Sequence, residues 1–175
     1  NVVTLNTSVQ PFSIMTASKA MTADTIILAM GASHKELGIP SEEKFKGHGV
    51  SYCATCDGFF FRNQPIAVIG GGDTAMEEAN FLTRFASKVY LMHRSENFRA
   101  SKIMLDRARK NPKIEFVMNT TVEEVLGDGK SVNALKLKNT KTNEVFEKPI
   151  QGLFIAIGHQ PNTKLFNGML DMNEA

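Results

Sequence analysis

The sequence contains no tryptophan and only two cysteines, Cys53 and Cys56. Two cysteines cannot supply the several disulfides that brace small secreted domains. No apolar segment approaches the roughly 20 residues that a membrane-spanning helix needs, because the run 25–30 stops at Gly31. The net charge of +2 creates no field strong enough to predict a nucleic-acid or membrane partner. We therefore expect neither partner.

The length of 175 residues is enough for one full domain with pieces of another. The chain starts on Asn1, enters an extended stretch at once, and ends without an obvious terminating element. We therefore expect an excised segment of a longer protein. A single Cys-x-x-Cys pair without other cysteines is typical of a reducing compartment, so the expected location is the cytoplasm.

Hydrophobic patterning predicts a mixed α/β chain. The continuous apolar run 66–70 is typical of a parallel strand buried on both faces, and 88–93 and 152–157 are further predicted strands. Helical periodicity predicts a helix at 74–86, and a second, basic helix is expected at 101–110. The strand–helix–strand run 66–93 is a βαβ unit. Residues 114–118 form a further strand, and 132–138 and 145–148 are expected to pair as a hairpin. Residues 2–6, 12–16 and 25–30 predict a short β-meander, and 33–51 a polar connection.

The turn Gly70-x-Gly72-x-x-Ala75 has the pattern of a dinucleotide-binding loop. The first glycine permits a tight turn, the second lets a pyrophosphate approach the backbone, and the small third residue permits close packing of helix and strand. An NAD site would place an acidic residue at the end of the next strand, where this chain has His93 and Arg94. This basic pair favours the 2′-phosphate of NADP(H), although a solvated charged loop remains an alternative. Glu96 slightly weakens the positive charge there.

The pair Cys53 and Cys56 is most simply a dithiol–disulfide couple. A zinc site is the first alternative, but a Cys-x-x-Cys supplies only two of about four ligands, and His34 and His48 lack metal-site spacing. Two unpaired structural cysteines are the second alternative. Asp57 follows directly and could donate the proton that thiol release requires, or it could simply begin an Asp-Gly turn. Both roles of Asp57 stay open at this point.

Several motifs in a fixed order resemble the low-molecular-weight, NADPH-dependent thioredoxin reductases of bacteria and plants. The resemblance covers nearly the whole chain. The motifs are Ala29-Met-Gly31-Ala, Cys53-Ala-Thr-Cys56-Asp57-Gly-Phe-Phe, Gly70-Gly-Gly72-Asp-Thr-Ala-Met-Glu77-Glu, His93-Arg94-x-x-x-Phe98-Arg99-Ala and Gly152-Leu-Phe-Ile-Ala-Ile-Gly158-His-x-Pro161-Asn162-Thr163.

The resemblance implies a Rossmann-like, three-layer α/β fold with a central parallel sheet, a β-meander and hairpin, and partial strands of a second, FAD-binding domain. It implies that 1–36 is part of the FAD domain with a hinge, 37–159 the NADPH-binding and redox domain, and 160–175 the return hinge with the start of a further FAD-domain segment. Gly31 and the segment from Gly158 to Pro161 would lie at the hinges, because the NADPH domain must rotate to bring the thiols and the nicotinamide to one flavin in turn.

The implied activity is electron transfer from NADPH through FAD to the Cys53–Cys56 disulfide and on to thioredoxin. Cys53 would attack thioredoxin, Cys56 would face the flavin, and Asp57 would be the acid. FAD would bind mainly outside this chain. The family is commonly a homodimer held largely by the FAD domain, so this chain alone is compatible with a monomer. The implied cofactor-binding residues are Gly70, Gly72, Asp73, Thr74, Ala75, Glu77, His93, Arg94, Arg99, Ile157 and Gly158.

Two residues depart from the family pattern. Ser95 stands where the family has a further arginine, which bears on the preference for NADPH, and Met30 replaces a threonine in the link motif. The alternative functions are a related flavoprotein that serves another carrier, such as a peroxiredoxin-reducing subunit or a ferredoxin-fed reductase, and a non-catalytic nucleotide-binding redox sensor. Arg94 and Arg99 argue against the ferredoxin-fed form, which needs no 2′-phosphate site.

Overall fold

The structure, a computed structural model, describes residues 1–173. The chain divides into two compact units, one of residues 34–158 and one of residues 1–33 with the segment that begins at His159. The last two positions of the predicted return segment 160–175 lie outside the described residues. None of the helices within 1–173 has the length and apolar character to cross a membrane.

The smaller unit is built on an antiparallel meander. Its strands β1 (Val2–Asn6), β2 (Phe12–Thr16) and β3 (Ala20–Ala23) are neighbours in that order. The first two strands are confirmed, but the third was predicted at 25–30 and lies earlier. The Thr16 side chain explains the difference, because it accepts a hydrogen bond from the Lys19 backbone N–H at 2.9 Å and closes a tight turn. The chain therefore reverses at once, and the apolar run 25–30 follows as an exposed segment without regular structure, with Ile27 92% exposed.

A second, two-stranded sheet joins β4 (Ala32–His34) to β13 (His159–Pro161), and a short 3-10 helix, Lys164–Phe166, follows β13. Asn162 ties the two stretches of chain together. Its side-chain amide donates to the Met30 carbonyl at 3.1 Å, and its side-chain oxygen accepts from the Ser33 hydroxyl at 3.0 Å. Only the backbone of Met30 takes part in this contact, and its side chain is exposed.

The larger unit is centred on a five-stranded parallel sheet. Its strands are β5 (Val50–Ser51), β6 (Pro65–Ile69), β7 (Lys88–Met92), β8 (Ile114–Val117) and β12 (Gly152–Ile155), in the spatial order β5-β12-β6-β7-β8. The inner strands are buried on both faces, which explains their continuous apolar sequences. The last strand of the unit, β12, thus inserts beside β6, the strand that leads into the glycine loop.

The sheet separates two cores. On one face Ile66 and Val68 pack with the helices α3 (Asp73–Leu82) and α4 (Lys102–Arg109). On the other face Ala67 packs against an antiparallel sheet of β9 (Thr120–Gly127), β10 (Val132–Asn139) and β11 (Val145–Pro149). The predicted three-layer α/β class and the β10–β11 hairpin are confirmed. Helix α3 ends at Leu82, four residues before its predicted end at 86, because the chain turns at Thr83.

One short helix lies in the connection 33–51 that was predicted to be polar, and a second follows that connection at the cysteines. Helix α1 (Pro40–Lys44) contacts β9, where the Ser41 hydroxyl accepts a hydrogen bond from the Val125 N–H at 2.8 Å. Helix α2 (Ala54–Asp57) carries the second cysteine and runs into a 3-10 turn, Gly58–Phe61. Helix α2 packs on α3, which places the cysteine segment beside the helix of the glycine loop.

Candidate functional site

The glycine loop connects β6 to α3 and requires glycine at its first position. Gly70 has φ +155°, and a Cβ there would lie 2.3 Å from the Ala156 carbonyl oxygen and 2.7 Å from the Ala75 Cβ. The loop therefore packs against β12 and α3 with no room for a side chain. Gly72 is different, because a Cβ at this position meets nothing within 4 Å. The open space at Gly72 lies at the N-terminus of a ten-residue helix, where the backbone N–H groups of the first turn favour a phosphate.

The segment after β7 folds back onto this loop. The backbone N–H groups of Arg99 and Ala100 both donate to the Gly71 carbonyl, at 2.8 and 3.0 Å. Asp73, a predicted cofactor-binding residue, accepts a hydrogen bond from the Ser101 N–H at 2.6 Å. Its carboxylate therefore holds the returning segment in place beside the loop.

His93 is fixed at the floor of the loop. Its ring is stacked on Phe98 at a centroid distance of 4.9 Å, and its Nδ1 lies 2.9 Å from the Ser95 carbonyl oxygen. A Cβ on Gly71 would lie 2.3 Å from His93 Nε2, so the ring and the loop are in close contact. His93 thus packs under the loop as well as bordering the cleft described next.

A cleft of ≈ 1010 Å³ opens between the glycine loop, the ends of β7 and β12, and the start of β9. Its volume suits a dinucleotide, since ligand pockets commonly measure about 300–1,000 Å³. The cleft contains no acidic residue at the end of β7 that could bind ribose hydroxyls. Eight of the predicted cofactor-binding residues line it: Gly70, Gly72, Thr74, His93, Arg94, Arg99, Ile157 and Gly158.

Three predicted cofactor-binding residues lie outside the lining of this cleft. Ala75 is fully buried under Gly70, and Asp73 binds the Ser101 backbone. Glu77 is exposed and borders a separate depression with Asn80 and Arg84. Glu77 is therefore not among the residues that line the cleft in front of Gly72.

Glu96 does not oppose the basic residues of the cleft. Its carboxylate forms an ion pair with Lys141 at 2.5 Å and accepts a hydrogen bond from the Asn119 amide at 3.2 Å. The Lys141 contact lowers the pKa of Glu96 below its ordinary value, so the carboxylate is charged and paired near neutral pH. Among the residues that line the cleft, Glu36 is the one that is acidic, and its carboxylate is paired with Lys46 at 3.1 Å. Arg94 and Arg99 therefore border the cleft without a free competing anion. A cleft with two guanidinium groups fits a phosphate-bearing nucleotide.

The two cysteines are joined by a disulfide. Cys53 is half-buried at the N-cap of α2, where its sulfur accepts a hydrogen bond from the Cys56 N–H at 3.3 Å. Cys56 is the more exposed of the two. No group of three His, Cys, Asp or Glu residues within 1–173 is placed to hold a metal ion, so the zinc alternative has no ligand set there. Neither sulfur lines the nucleotide cleft.

Asp57 is connected to the cysteine segment through Ser51. The Ser51 hydroxyl donates to the Asp57 carboxylate at 2.6 Å and accepts from the Cys53 N–H at 3.1 Å. Asp57 also borders a smaller cleft of ≈ 410 Å³ together with His48 and Lys130. The carboxylate is therefore one hydrogen-bonded side chain away from Cys53 and also reaches solvent.

Two features near the disulfide were not predicted from the sequence. Glu78, on α3, interacts with the Ala54 backbone between the cysteines, and burial raises its pKa from 4.5 to about 7. Phe59 and Phe60 are 57% and 72% exposed just beyond the disulfide, and Arg62 stacks over Phe59 at 4.4 Å. Adjacent exposed aromatic side chains are typical of protein-binding surfaces. The Phe-Phe-Phe run was visible in the sequence, but its exposure was not.

The family model described as "Pyridine nucleotide-disulphide oxidoreductase" matches residues 1–175. The chain belongs to this family. It is 55% identical over 158 residues to a thioredoxin reductase of Streptomyces coelicolor, covering 90% of this chain and 49% of the relative. It is 51% identical over 174 residues to thioredoxin reductase 1 of Saccharomyces cerevisiae, covering 96% of this chain and 54% of the relative.

The fold of this chain is also similar to that of solved thioredoxin reductases. The crystal structure of Lactococcus lactis thioredoxin reductase in its FR conformation superimposes with a TM-score of 0.90 at 43% identity, over 100% of this chain and 58% of that chain. The resemblance to thioredoxin reductases inferred from the motifs is confirmed. The chain spans about half the length of the curated relatives it matches, namely 49% and 54%.

Proposed function

We propose that this chain carries the NADPH-binding and disulfide half of a thioredoxin-disulfide reductase. One observation carries the proposal: a disulfide and a dinucleotide cleft lie in one unit, 34–158, yet neither sulfur lines the cleft. Hydride transfer needs reacting atoms about 3–3.5 Å apart, so the two sites call for an intermediate carrier. The proposed electron path runs from NADPH through FAD to the disulfide and on to thioredoxin.

The chain's own residues divide this work between two places. The open space at Gly72, the N–H groups of the first turn of α3, and the side chains of Arg94 and Arg99 would hold the pyrophosphate and the 2′-phosphate of NADPH. When bound, NADPH supplies two electrons as a hydride. Ser95 supplies no charge, so discrimination against NADH depends on the two arginines.

At the disulfide we propose Asp57 as the acid that protonates the departing thiolate, through or beside the Ser51 hydroxyl. We propose Cys53 as the thiol that attacks thioredoxin and Cys56 as the flavin-facing thiol, as the family pattern implies. The greater exposure of Cys56 argues for the opposite order. Single cysteine-to-serine variants decide between the two, because only the attacking thiol forms a mixed disulfide with an activated thioredoxin.

Thioredoxin is the proposed partner rather than a small disulfide, because the exposed Phe59 and Phe60 offer an apolar contact surface next to the sulfurs. The domain assignment 1–36, 37–159 and 160–175 is part of the proposal, with FAD bound mainly outside this chain. Gly31 and Gly158, with φ of +65° and +102° and open space around them, are the proposed hinges. We also propose that the whole enzyme is a homodimer. The proposed location is the cytoplasm, because a cycling dithiol needs a reducing compartment.

Two measurements on the 175-residue chain test the proposal. Calorimetry with NADPH and NADH should show binding of NADPH and at least about tenfold weaker binding of NADH, given about 1.5–3 kcal/mol for each charged hydrogen bond. The chain reduced with dithiothreitol and then desalted should transfer its electrons to oxidised thioredoxin in a single turnover. NADPH alone should leave the disulfide oxidised, and the chain should show no sustained turnover.

The outcomes separate the competing functions. Absence of NADPH binding would favour the ferredoxin-fed alternative. Binding of NADPH with no thiol transfer to thioredoxin would favour the sensor, and transfer to a peroxiredoxin-linked carrier in preference to thioredoxin would favour the peroxiredoxin-reducing subunit. Each of these three results would contradict the proposed function.

A further inference from the structure

Glu78 is a carboxyl group in an unusual place. It lies half-buried on α3, one and a half turns after the glycine loop, on the side that packs against α2. Its carboxylate interacts with the Ala54 backbone, and Ala54 lies between the two cysteines. Its Oε2 is buried and has no hydrogen-bond partner among the described residues. Nothing in the nucleotide cleft uses this group, since Glu78 is not among the residues that line it.

The surroundings of Glu78 hold few charges. Burial raises the pKa of Glu78 most strongly, the Ala54 backbone lowers it, and Glu77 on the same helix raises it by a smaller amount. Helix α2 contributes Asp57 and the two cysteines. Strands β6 and β7 also pack on α3, and of their residues Lys88 and Tyr90 are titratable. Helix α4 packs on α3 as well and carries Lys102, Asp106, Arg107 and Arg109, but none of these affects the pKa of Glu78. The groups that can change charge closest to Glu78 along α2 are therefore the two sulfurs and Asp57.

A half-buried carboxyl with one unpartnered oxygen, on a helix that packs against the cysteine segment, has a specific physical consequence. While the disulfide is closed, no charge on the sulfurs opposes ionisation of Glu78. Once the disulfide opens, a thiolate forms one residue away from the backbone group that Glu78 contacts, and two like charges in a partly desolvated site disfavour each other. One of the two groups then has to hold a proton.

We propose that Glu78 is a positioning residue for the Cys53–Cys56 couple, and that it takes up a proton when the disulfide opens and releases it when the disulfide closes. The inference rests on the proposed redox role of this pair. The packing of α3 against α2 holds the carboxyl beside the cysteine segment, and its negative charge sets how readily a thiolate persists there. Glu78 thus has two proposed roles, to position the cysteine segment and to exchange a proton when the disulfide opens or closes.

The step balances with glutathione as the reductant. Two glutathione thiols supply two electrons, the Cys53–Cys56 bond breaks, and the sulfur–sulfur bond of glutathione disulfide forms. Of the two protons that the glutathione thiols release, one goes to a cysteine sulfur and the other to the Glu78 carboxylate, while the second cysteine sulfur stays a thiolate. The total charge of the protein site, one negative charge, is the same before and after.

The experiment compares the 175-residue chain with its Glu78→Gln variant in glutathione redox buffers from about pH 5.5 to about pH 8.5, a range that spans the titration of Glu78. Glutamine keeps the shape of the side chain but cannot ionise. Above about pH 7 the variant should form dithiol more readily, by roughly fivefold to tenfold in the equilibrium constant, or about 20–30 mV. Below about pH 6 the two proteins should agree within about twofold, because Glu78 is then protonated in both redox states.

A matched control is Glu147→Gln, which neutralises an exposed glutamate on β11, in the antiparallel sheet on the other side of the parallel sheet. This variant should follow the wild-type profile at every pH. A second measurement needs no variant. Carbon-detected magnetic resonance of the wild-type carboxyl groups should show a higher pKa of Glu78 in the dithiol form than in the disulfide form.

The possible results distinguish the inference from the proposed function. A pair that does not equilibrate with glutathione at all contradicts both. A pair that equilibrates normally, with wild type and Glu78→Gln differing by the same factor at every pH, leaves the redox function intact and shows that Glu78 is only structural. An unchanged Glu78 pKa between the two redox forms overturns the inference by itself, even if the variant fails to fold.

Discussion

Replacing Glu78 with glutamine should remove a pH-dependent part of the chain's stability. Burial raises the pKa of Glu78 from 4.5 to about 7. A group whose pKa is raised by folding stabilises the fold fully below its unfolded value, about pH 4.5, and this stabilisation is lost as the pH rises through about 7. Glutamine has no such contribution to lose. The variant should therefore gain stability relative to the wild type as the pH rises.

The size of the effect follows from the pKa values. A shift of one pKa unit corresponds to about 1.4 kcal/mol, so the rise in the pKa of Glu78 from 4.5 to about 7 limits its pH-dependent contribution to the free energy of unfolding to about 3 kcal/mol. Glu78 is only half-buried, and screening by solvent reduces the effect. We expect the free energy of unfolding of Glu78→Gln, relative to that of the wild type, to increase by about 1–2 kcal/mol between about pH 5 and about pH 8.

Urea unfolding of the oxidised proteins measures this difference. The chain has no tryptophan, and its two tyrosines, Tyr52 and Tyr90, both lie in the unit that contains Glu78, so tyrosine emission reports on that unit. Glu147→Gln serves again as the control and should show no such trend. A constant difference in unfolding free energy between Glu78→Gln and wild type across this pH range would refute the reasoning, because it would mean that Glu78 ionises alike in both states.

Three further predictions concern the proposed sites. Arg94→Ala and Arg99→Ala should each weaken NADPH binding by about tenfold or more while leaving NADH binding nearly unchanged, as calorimetry would show; equal losses for both nucleotides would contradict a 2′-phosphate role. Gly72→Ala should have the thermal stability of the wild type but bind NADPH more weakly. Gly70→Ala should lower thermal stability, because its Cβ would lie 2.3 Å from the Ala156 carbonyl oxygen. Equal effects of the two variants on stability and binding would contradict these separate roles of the two glycines. Phe60→Ser should slow single-turnover reduction of thioredoxin about tenfold with unchanged rates toward a small disulfide, and equal slowing of both reactions would exclude a docking role.

The parts of the fold that the sequence predicted well are those whose pattern is local. Four of the five parallel strands, β6, β7, β8 and β12, were correctly predicted, because burial on both faces produces continuous apolar runs. The two-residue strand β5 was missed, because it lies in the stretch 33–51 that was predicted to be a connection. Strand β9 was missed because its pattern is not regular. The pairing of β9 with β10 shifts register between Lys136 and Leu137, so that Val122 and Val125, three positions apart, both pack on the same core. A bulge of this kind hides the alternation by which a strand is recognised.

The nucleotide cleft was largely predictable and the disulfide environment was not. Eight of the eleven expected cofactor residues line the cleft, because a glycine loop between a strand and a helix has one geometry wherever it occurs. By contrast, the orientation of the Glu96 side chain depends on its ion pair with Lys141, which lies 45 positions later in the sequence. The burial of Glu78 depends in the same way on the packing of α2 against α3, which no local pattern encodes.

The stretch from Gly70 to Glu78 serves two sites with one rigid element. Its glycines shape the nucleotide loop, while Glu78 touches the backbone between the cysteines, about 9 Å further along the helix axis at ~1.5 Å per residue. Residues of α3 between these points, such as Ala75 and Met76, are fully buried, so the helix cannot shift at one end without moving the other. This explains why the glycine motif and the paired glutamates occur as one uninterrupted segment. It also means that only variants which leave the core of α3 unchanged, such as Gly72→Ala and Glu78→Gln, can separate the nucleotide site from the disulfide site.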